Sequence, residues 1–498
     1  VSLGFFDQLK MQTVRGIRRV NERSIQHWSH RTYRRRAPSE PIVPRAIPAS
    51  KAYADPRLPD GLFLPDAIPH SVTLRSAYVV PYYYLTGGLF KLYRLSPLSS
   101  DPEWTGRHFF PTTTEGWSDL LDDMEFAQLR LQGPNPFLLA QTPSGFAVDY
   151  SHWFEGIAPP VSCHFVVEND RLMPAFIQID GKTVRPGTPE WRQAKLVANA
   201  LDARYTVFVQ HLLQTHLRVG QAFALAAWHL PTAHPLRPFI NVHTYGNLQV
   251  NHFAWEFLLG ASSYFILSGF VNRAQGTQLF ANALKRNAML PLHPVTDIQT
   301  RGIDRIPNHP YVEDASLIWD VILPHAQKIV NDRYSSDSAM LADDSLFKWH
   351  EALRELISDA MLSELSDRNR LAERLAMLIY NNVIHEISGD FAIYACPADP
   401  FQQRAVRWDT IWSPGPVKAR DVFLFEQGAW SGMFNTAGNN FMNTPLDEFV
   451  GDRRTLDELA ELRRQLTAVE QILRQRNQQR RYRFERMYPS QWELSISF

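Results

Sequence analysis

His211 and His216 lie five residues apart in the apolar stretch Tyr205-Thr-Val-Phe-Val-Gln-His-Leu-Leu-Gln-Thr-His216. Two imidazoles can hold one metal ion only if they share a face of their helix. On a regular α-helix, five residues rotate by about 500°, which leaves the two side chains about 140° apart. A π-bulge, with its i→i+5 hydrogen bonds, brings them into line, and such bulges concentrate at functional sites. The pair therefore reads in one of two ways. It is two ordinary histidines on a helix, or it is half of a metal site on a distorted, buried one.

The elements that must position such a pair are legible around it. Thr188-Pro-Glu-Trp191 reads as an N-cap followed by proline at the first helical position, opening a helix that runs to Trp228. Before it, Ser162–Val167 and Ala175–Ile179 read as short strands, with turns at Asn169-Asp170 and Asp180-Gly181. After it, helical patterns cover 254–287, 313–335, 343–358, 365–388 and 453–485. In the last, Leu456, Leu459, Leu462, Leu466, Val469, Ile472 and Leu473 recur at helical spacing, as a packed helix with a charged outer face. Within 254–271, Glu256, Gly260 and three serines interrupt the apolar run, so it reads as a buried helix and not a membrane span.

Composition narrows the class. The chain has 498 residues, is 45% apolar and 20% charged, and carries no net charge. That is a globular protein and not a general nucleic-acid binder. Length alone suggests roughly two to four domains. Two cysteines, Cys163 and Cys396, are too few for a disulfide scaffold and point to a reducing, cytoplasmic setting. Residues 1–60 read as a basic, proline-rich arm, with ten Lys and Arg in the first 50 residues. No apolar core of a secretory signal follows those charges. The arm is a candidate for peripheral membrane contact.

Taken in order, several segments resemble the lipoxygenase family. Asp122-Asp-Met-Glu-Phe-Ala-Gln-Leu-Arg-Leu-Gln-Gly-Pro-Asn-Pro136 looks like its DxEFARxxLxGxNP segment, and Trp191-Arg-Gln-Ala-Lys195 with Asp202 like its WxxAK…AD helix. His211-Leu-Leu-Gln-Thr-His216 matches its metal-binding HLLxTH, and His234-Pro235 with His243 matches HPxxxLxxxH. Arg301-Gly302, Pro310-Tyr-Val-Glu-Asp-Ala-Ser-Leu-Ile-Trp-Asp320 and the end, Tyr488-Pro-Ser-Gln-Trp-Glu-Leu-Ser-Ile-Ser-Phe498, follow in the family's order. Each motif is weak alone; the ordered set is specific. The resemblance implies a mainly α fold: a helical catalytic domain over 61–498 around a long metal-binding helix, with small β elements in the N-terminal third. That replaces the several-domain expectation. Residues before the match lack regular strand alternation, so the family's N-terminal β-barrel is not expected there.

The resemblance also implies a ligand set. A non-haem iron is expected on His211 and His216, on His385 from the helix Leu378–Gly389, and on the chain-terminal carboxylate of Phe498. Manganese accepts the same N/O donors. The family's fourth group lies four residues after the third histidine, where this chain has Gly389, which offers no side chain. A shifted alignment makes Asn381 the third ligand and His385 the fourth; alternatively Glu386 rotates in, or a water fills the gap. Gly220 stands where many relatives carry Glu, and Val312 where they carry Arg. His229, His234 and His243 read as helix-end and packing residues. Lys195 and Asp202 read as structural, with a possible pairing across two turns.

The implied activity is insertion of O2 into a polyunsaturated fatty acid or related polyene, after hydrogen abstraction at a doubly allylic carbon, to give a hydroperoxide. Ala281, Asn282 and Ala283 are the expected channel residues that steer stereochemistry. Two alternatives keep the fold: a hydroperoxide isomerase or specialised-metabolite oxidase, and a non-catalytic lipid-binding protein with an eroded metal site.

Overall fold

The computed structural model describes residues 117–493 apart from 232, 244–246, 248–250, 252–272, 287–292, 357–363, 390–405, 407, 409, 413–440 and 444–451. The arm at 1–60, Cys396, Phe498 and the expected helix at 254–271 lie outside the described residues.

A short helix, α1 (Asp123–Gln132), leads into a five-stranded antiparallel meander: β1 (Ala140–Thr142), β2 (Gly145–Asp149), β3 (Val161–Glu168), β4 (Arg171–Ile179) and β5 (Lys182–Val184). Both expected turns form. Asn169 and Asp170 take φ 49° and 60°, and Asp180 and Gly181 take φ 50° and 78°. Positive φ at both central residues is the twist a two-residue hairpin needs, and Asn, Asp and Gly tolerate it. β4 begins four residues earlier than its pattern suggested. The register shifts where His164 pairs Phe176 and Phe165 pairs Pro174, so the strand absorbs its proline at a bulge. Cys163 is fully buried on the inner face of β3, and burial pushes its thiol up to about 12.

The central helix differs from expectation at its start. Thr188 does not cap it: its hydroxyl bonds back to the Arg185 carbonyl at 2.8 Å. The helix opens at Trp191, whose N–H reaches the Thr188 carbonyl, and continues to His229 in three pieces. These are α2 (Trp191–Tyr205), a π-helical segment (Thr206–Arg218) and α3 (Val219–His229).

Two ion pairs clamp α1 to α2, and they correct the expected pairing of Lys195 with Asp202. Seven residues put two side chains on one face but about 10 Å apart along the axis. Each therefore finds a partner on α1, whose own Asp123 and Arg130 are also seven apart. Lys195 pairs with Asp123, and Asp202 with Arg130 at 3.4 Å. Asp202 has no exposed surface and also accepts from Asn135 Nδ2 at 2.8 Å and the Tyr150 hydroxyl at 2.7 Å. Arg130 in turn donates to Asn199 at 2.8 Å.

The rest of the described chain is helical: α4 (Arg237–His243), α5 (Arg273–Lys285), α6 (Pro294–Arg301), α7 (Pro310–Arg333), α8 (Asp337–Leu341), α9 (Asp344–Leu356), α10 (Arg368–Gly389) and α11 (Arg453–Gln479). Gly302 ends α6 in the left-handed region at φ 66°, where an added Cβ would collide with Gln141. α7 packs along both α10 and α11. Its buried Asp314 accepts from Arg476 at 3.0 Å and Arg480 at 2.6 Å. That pull on Arg480, which is in extended conformation, ends α11 at Gln479, short of the expected 485. Leu459, Leu462, Leu466, Val469 and Leu473 are core residues as expected, but Ile472 is 41% exposed at the edge of that stripe. Among the described residues, no helix is long and apolar enough to cross a membrane.

Candidate metal centre

The π-helical segment supplies the alignment that the His211–His216 spacing demands. Thr215 helps hold it, its hydroxyl donating to the carbonyl of Gln210, five residues back, at 2.7 Å. The two imidazoles stand together, Nε2 to Nε2 at 3.2 Å. From α10, His385 joins them, with its Nε2 3.1 Å from that of His216. The ring centroids are 4.8, 4.6 and 4.9 Å apart, a nearly equilateral triangle. His216 and His385 are each 3% exposed, and His211 is half-buried.

Burial holds His211 neutral, down to about 4, and His216 well below its ordinary value. His211 Nδ1 lies 3.2 Å from the Ser388 hydroxyl, and the ring also bonds the His385 backbone. The Ser388 hydroxyl donates to the His385 carbonyl and so accepts from His211, which places the His211 proton on Nδ1 and turns its Nε2 lone pair toward the other rings. Neutral lone pairs converging in a buried place are a poor arrangement unless a cation sits among them. Two nitrogens bound at right angles, about 2.1 Å from a metal, are about 3.0 Å apart. The three histidines fit a metal ion.

The other candidates divide. Asn381 sits one turn before His385 on α10, hence on the same face. Its Nδ2 donates to the Thr215 carbonyl at 3.3 Å, and its buried Oδ1 has no partner among the described residues. Glu386 does not rotate in: it is ion-paired with Arg486, one position and about 100° around the helix from His385. Gly389 closes α10 and contributes no donor. His234 bonds Asp343 at 3.0 Å, and His243 is buried between Phe239 and Phe441. Neither belongs to the three-histidine group, nor does His229. Ala281, Asn282 and Ala283 lie on α5, which packs against the π segment through Phe280 and Phe208, ring centroids 6.3 Å apart. Asn282 is engaged structurally, donating to the Trp153 and Glu155 carbonyls at 3.0 and 2.9 Å.

Sequence reasoning missed two residues. Ser388 is three after His385, a spacing that shares its face and could have drawn notice. Asn251 donates to the His216 carbonyl at 2.7 Å, and no local pattern announces it. Gly220 makes room for that bond: a Cβ there would collide with the side chains of Asn251 and Asn247. Gly220→Ala should therefore push Asn251 off His216 and cost about 1–3 kcal/mol. Thermal melting of the metal-free protein checks this, and an unchanged midpoint would show that the contact is dispensable.

The described residues form a helical body around a three-histidine cluster, two from the π segment and one from α10, with the donor set of a metal site. The lipoxygenase family's sequence profile matches residues 182–398. The chain is 29% identical over 401 residues to the linoleate 9/13-lipoxygenase of Pseudomonas aeruginosa, covering 71% of this chain and 57% of that protein. It is 28% identical to the polyunsaturated fatty acid lipoxygenase ALOX15B of Homo sapiens, over 42% of this chain and 33% of that one. Among solved structures, a calcium-dependent 11R-lipoxygenase superposes with a TM-score of 0.71 at 18% identity, covering 89% of this chain and 78% of that one. The chain is similar to lipoxygenases in the segment 182–398, in its curated relatives and in its fold. It spans little more than half the length of the bacterial relative.

Proposed function

We propose that this protein is a non-haem iron dioxygenase that inserts O2 into a polyunsaturated fatty acid and releases a hydroperoxide. The observation that carries the reading is the convergence of three imidazoles from two helices, with His216 Nε2 3.2 Å from that of His211 and 3.1 Å from that of His385. Iron on such donors supplies one-electron redox chemistry; manganese accepts the same set. His211, His216 and His385 would hold it, with Asn381 Oδ1, which has no partner among the described residues, as a fourth donor; the Phe498 carboxylate, outside the described residues, is the fifth donor that the resemblance implies. Overall, one carbon–hydrogen bond of the polyene breaks and one O2 is added, with no other co-reactant. What the protein must do is hold the doubly allylic carbon still and keep water from the radical. The packing of α5 on the π segment gives an apolar wall for that purpose, with Ala281 and Ala283 as its small residues. A cytoplasmic location, with the basic arm at 1–60 against a membrane surface, fits a substrate drawn from lipid.

Iron-loaded protein mixed with linoleic acid should consume one O2 per conjugated-diene hydroperoxide formed. Gly389 favours a second reading, a hydroperoxide isomerase. That reading predicts consumption of added fatty acid hydroperoxide without net oxygen uptake. Absence of oxygen uptake by protein carrying stoichiometric iron would overturn the dioxygenase reading.

A further inference from the structure

We infer that Ser388 is a positioning residue for the metal centre, linking the His211 ring to the backbone of the third histidine. The inference rests on the metal-site reading above and assigns this chain's own hydroxyl a role in it. Ser388 is fully buried on α10, three residues after His385 and directly before Gly389. Its Oγ lies 3.2 Å from His211 Nδ1 and 3.3 Å from the His385 carbonyl.

The donor inventory decides the direction of both contacts. A carbonyl oxygen only accepts, so the Ser388 hydroxyl proton goes to His385. Its lone pairs then face His211 Nδ1, which must donate. A relay results, from His211 N–H to the Ser388 hydroxyl to the His385 carbonyl. The His211 ring also bonds the His385 backbone directly. The relay locks the His211 tautomer that leaves Nε2 free for a metal. It also ties two ligands from separate helices, 174 positions apart in the chain, into one unit. At Gly389 there is no side chain to do either. His211 is the most exposed of the three imidazoles and stands to gain most from an external hold. Groups that orient metal-bound histidines typically change affinity by 10–100-fold when removed.

The test is titration of the full-length, metal-free protein with Co2+, followed by visible absorption, for the wild type, Ser388→Ala and Ser388→Thr. Circular dichroism checks that each variant is folded. Ser388→Ala should weaken Co2+ binding about tenfold and alter the cobalt spectrum. Ser388→Thr keeps the hydroxyl and should restore both. An alanine variant with wild-type affinity and spectrum would overturn the inference. So would a threonine variant as weak as the alanine one, since packing and not the hydroxyl would then be at work. Failure of the wild type to bind Co2+ would instead remove the metal-site reading, and the inference with it.

Discussion

Alanine at His216 should leave the purified protein with almost no bound metal, while its helical content stays that of the wild type. His216 is the middle of the three donors: its Nε2 faces those of both His211 and His385. Closed metal sites in small domains contribute about 10–16 kcal/mol over four ligands, so one ligand carries several kcal/mol. Affinity should drop at least about a hundredfold. The fold should tolerate the change, because the bond from Asn251 to the His216 carbonyl is kept and the π segment is packed by its apolar neighbours. Metal analysis of wild type and variant, purified side by side and reloaded with ferrous iron, measures the effect. Equal, stoichiometric iron in both proteins would remove His216 from the site and the three-histidine centre with it.

Asp202→Ala should cost about 3–5 kcal/mol in the metal-free protein, the usual effect of breaking a buried ion pair from one side. The variant leaves the Arg130 guanidinium without its carboxylate in a place with no exposed surface, and takes the acceptor from Asn135 and Tyr150. For a chain of this size the melting midpoint should fall by about 3–5 °C. Asp202→Asn keeps one acceptor and should lose less. The site makes the number matter: Asp202 stands near the end of α2, directly before the π segment, and joins it to α1 and to the loop after β2. Thermal unfolding by circular dichroism reads the difference. A fall of only a degree or two would mean that water or a shifted side chain satisfies Arg130.

Much of the fold can be read from local chemistry. The hairpin turns at Asn169-Asp170 and Asp180-Gly181 follow from the few residue types that accept positive φ. The helices from Pro310 onward follow from apolar spacing, with errors at their ends where a distant partner intervenes. Arg480 leaves α11 for Asp314, and the Thr188 hydroxyl turns back to Arg185 instead of capping. Gly220 shows the same limit. Its absent side chain looked like a lost Glu, whereas the space is filled by Asn251 and Asn247 from a later part of the chain.

For two histidines five residues apart to share one metal, their helix must make i→i+5 bonds there. The structure has such a helix, from Thr206 to Arg218. Which later residues meet the pair is a different matter. His385 and Ser388 lie 169 and 177 positions from their partners His216 and His211. Periodicity specifies which face of a helix is buried, but not which residue of another helix it meets; that depends on how α10 crosses the π segment. The residue spacing alone leaves two readings of the pair, ordinary histidines or half of a metal site on a helix distorted out of α geometry, and the π segment is the second. The packing of two helices decided that His385, and not Glu386 or Gly389, completes the triangle, because only its side chain leaves α10 in the direction of the other two rings.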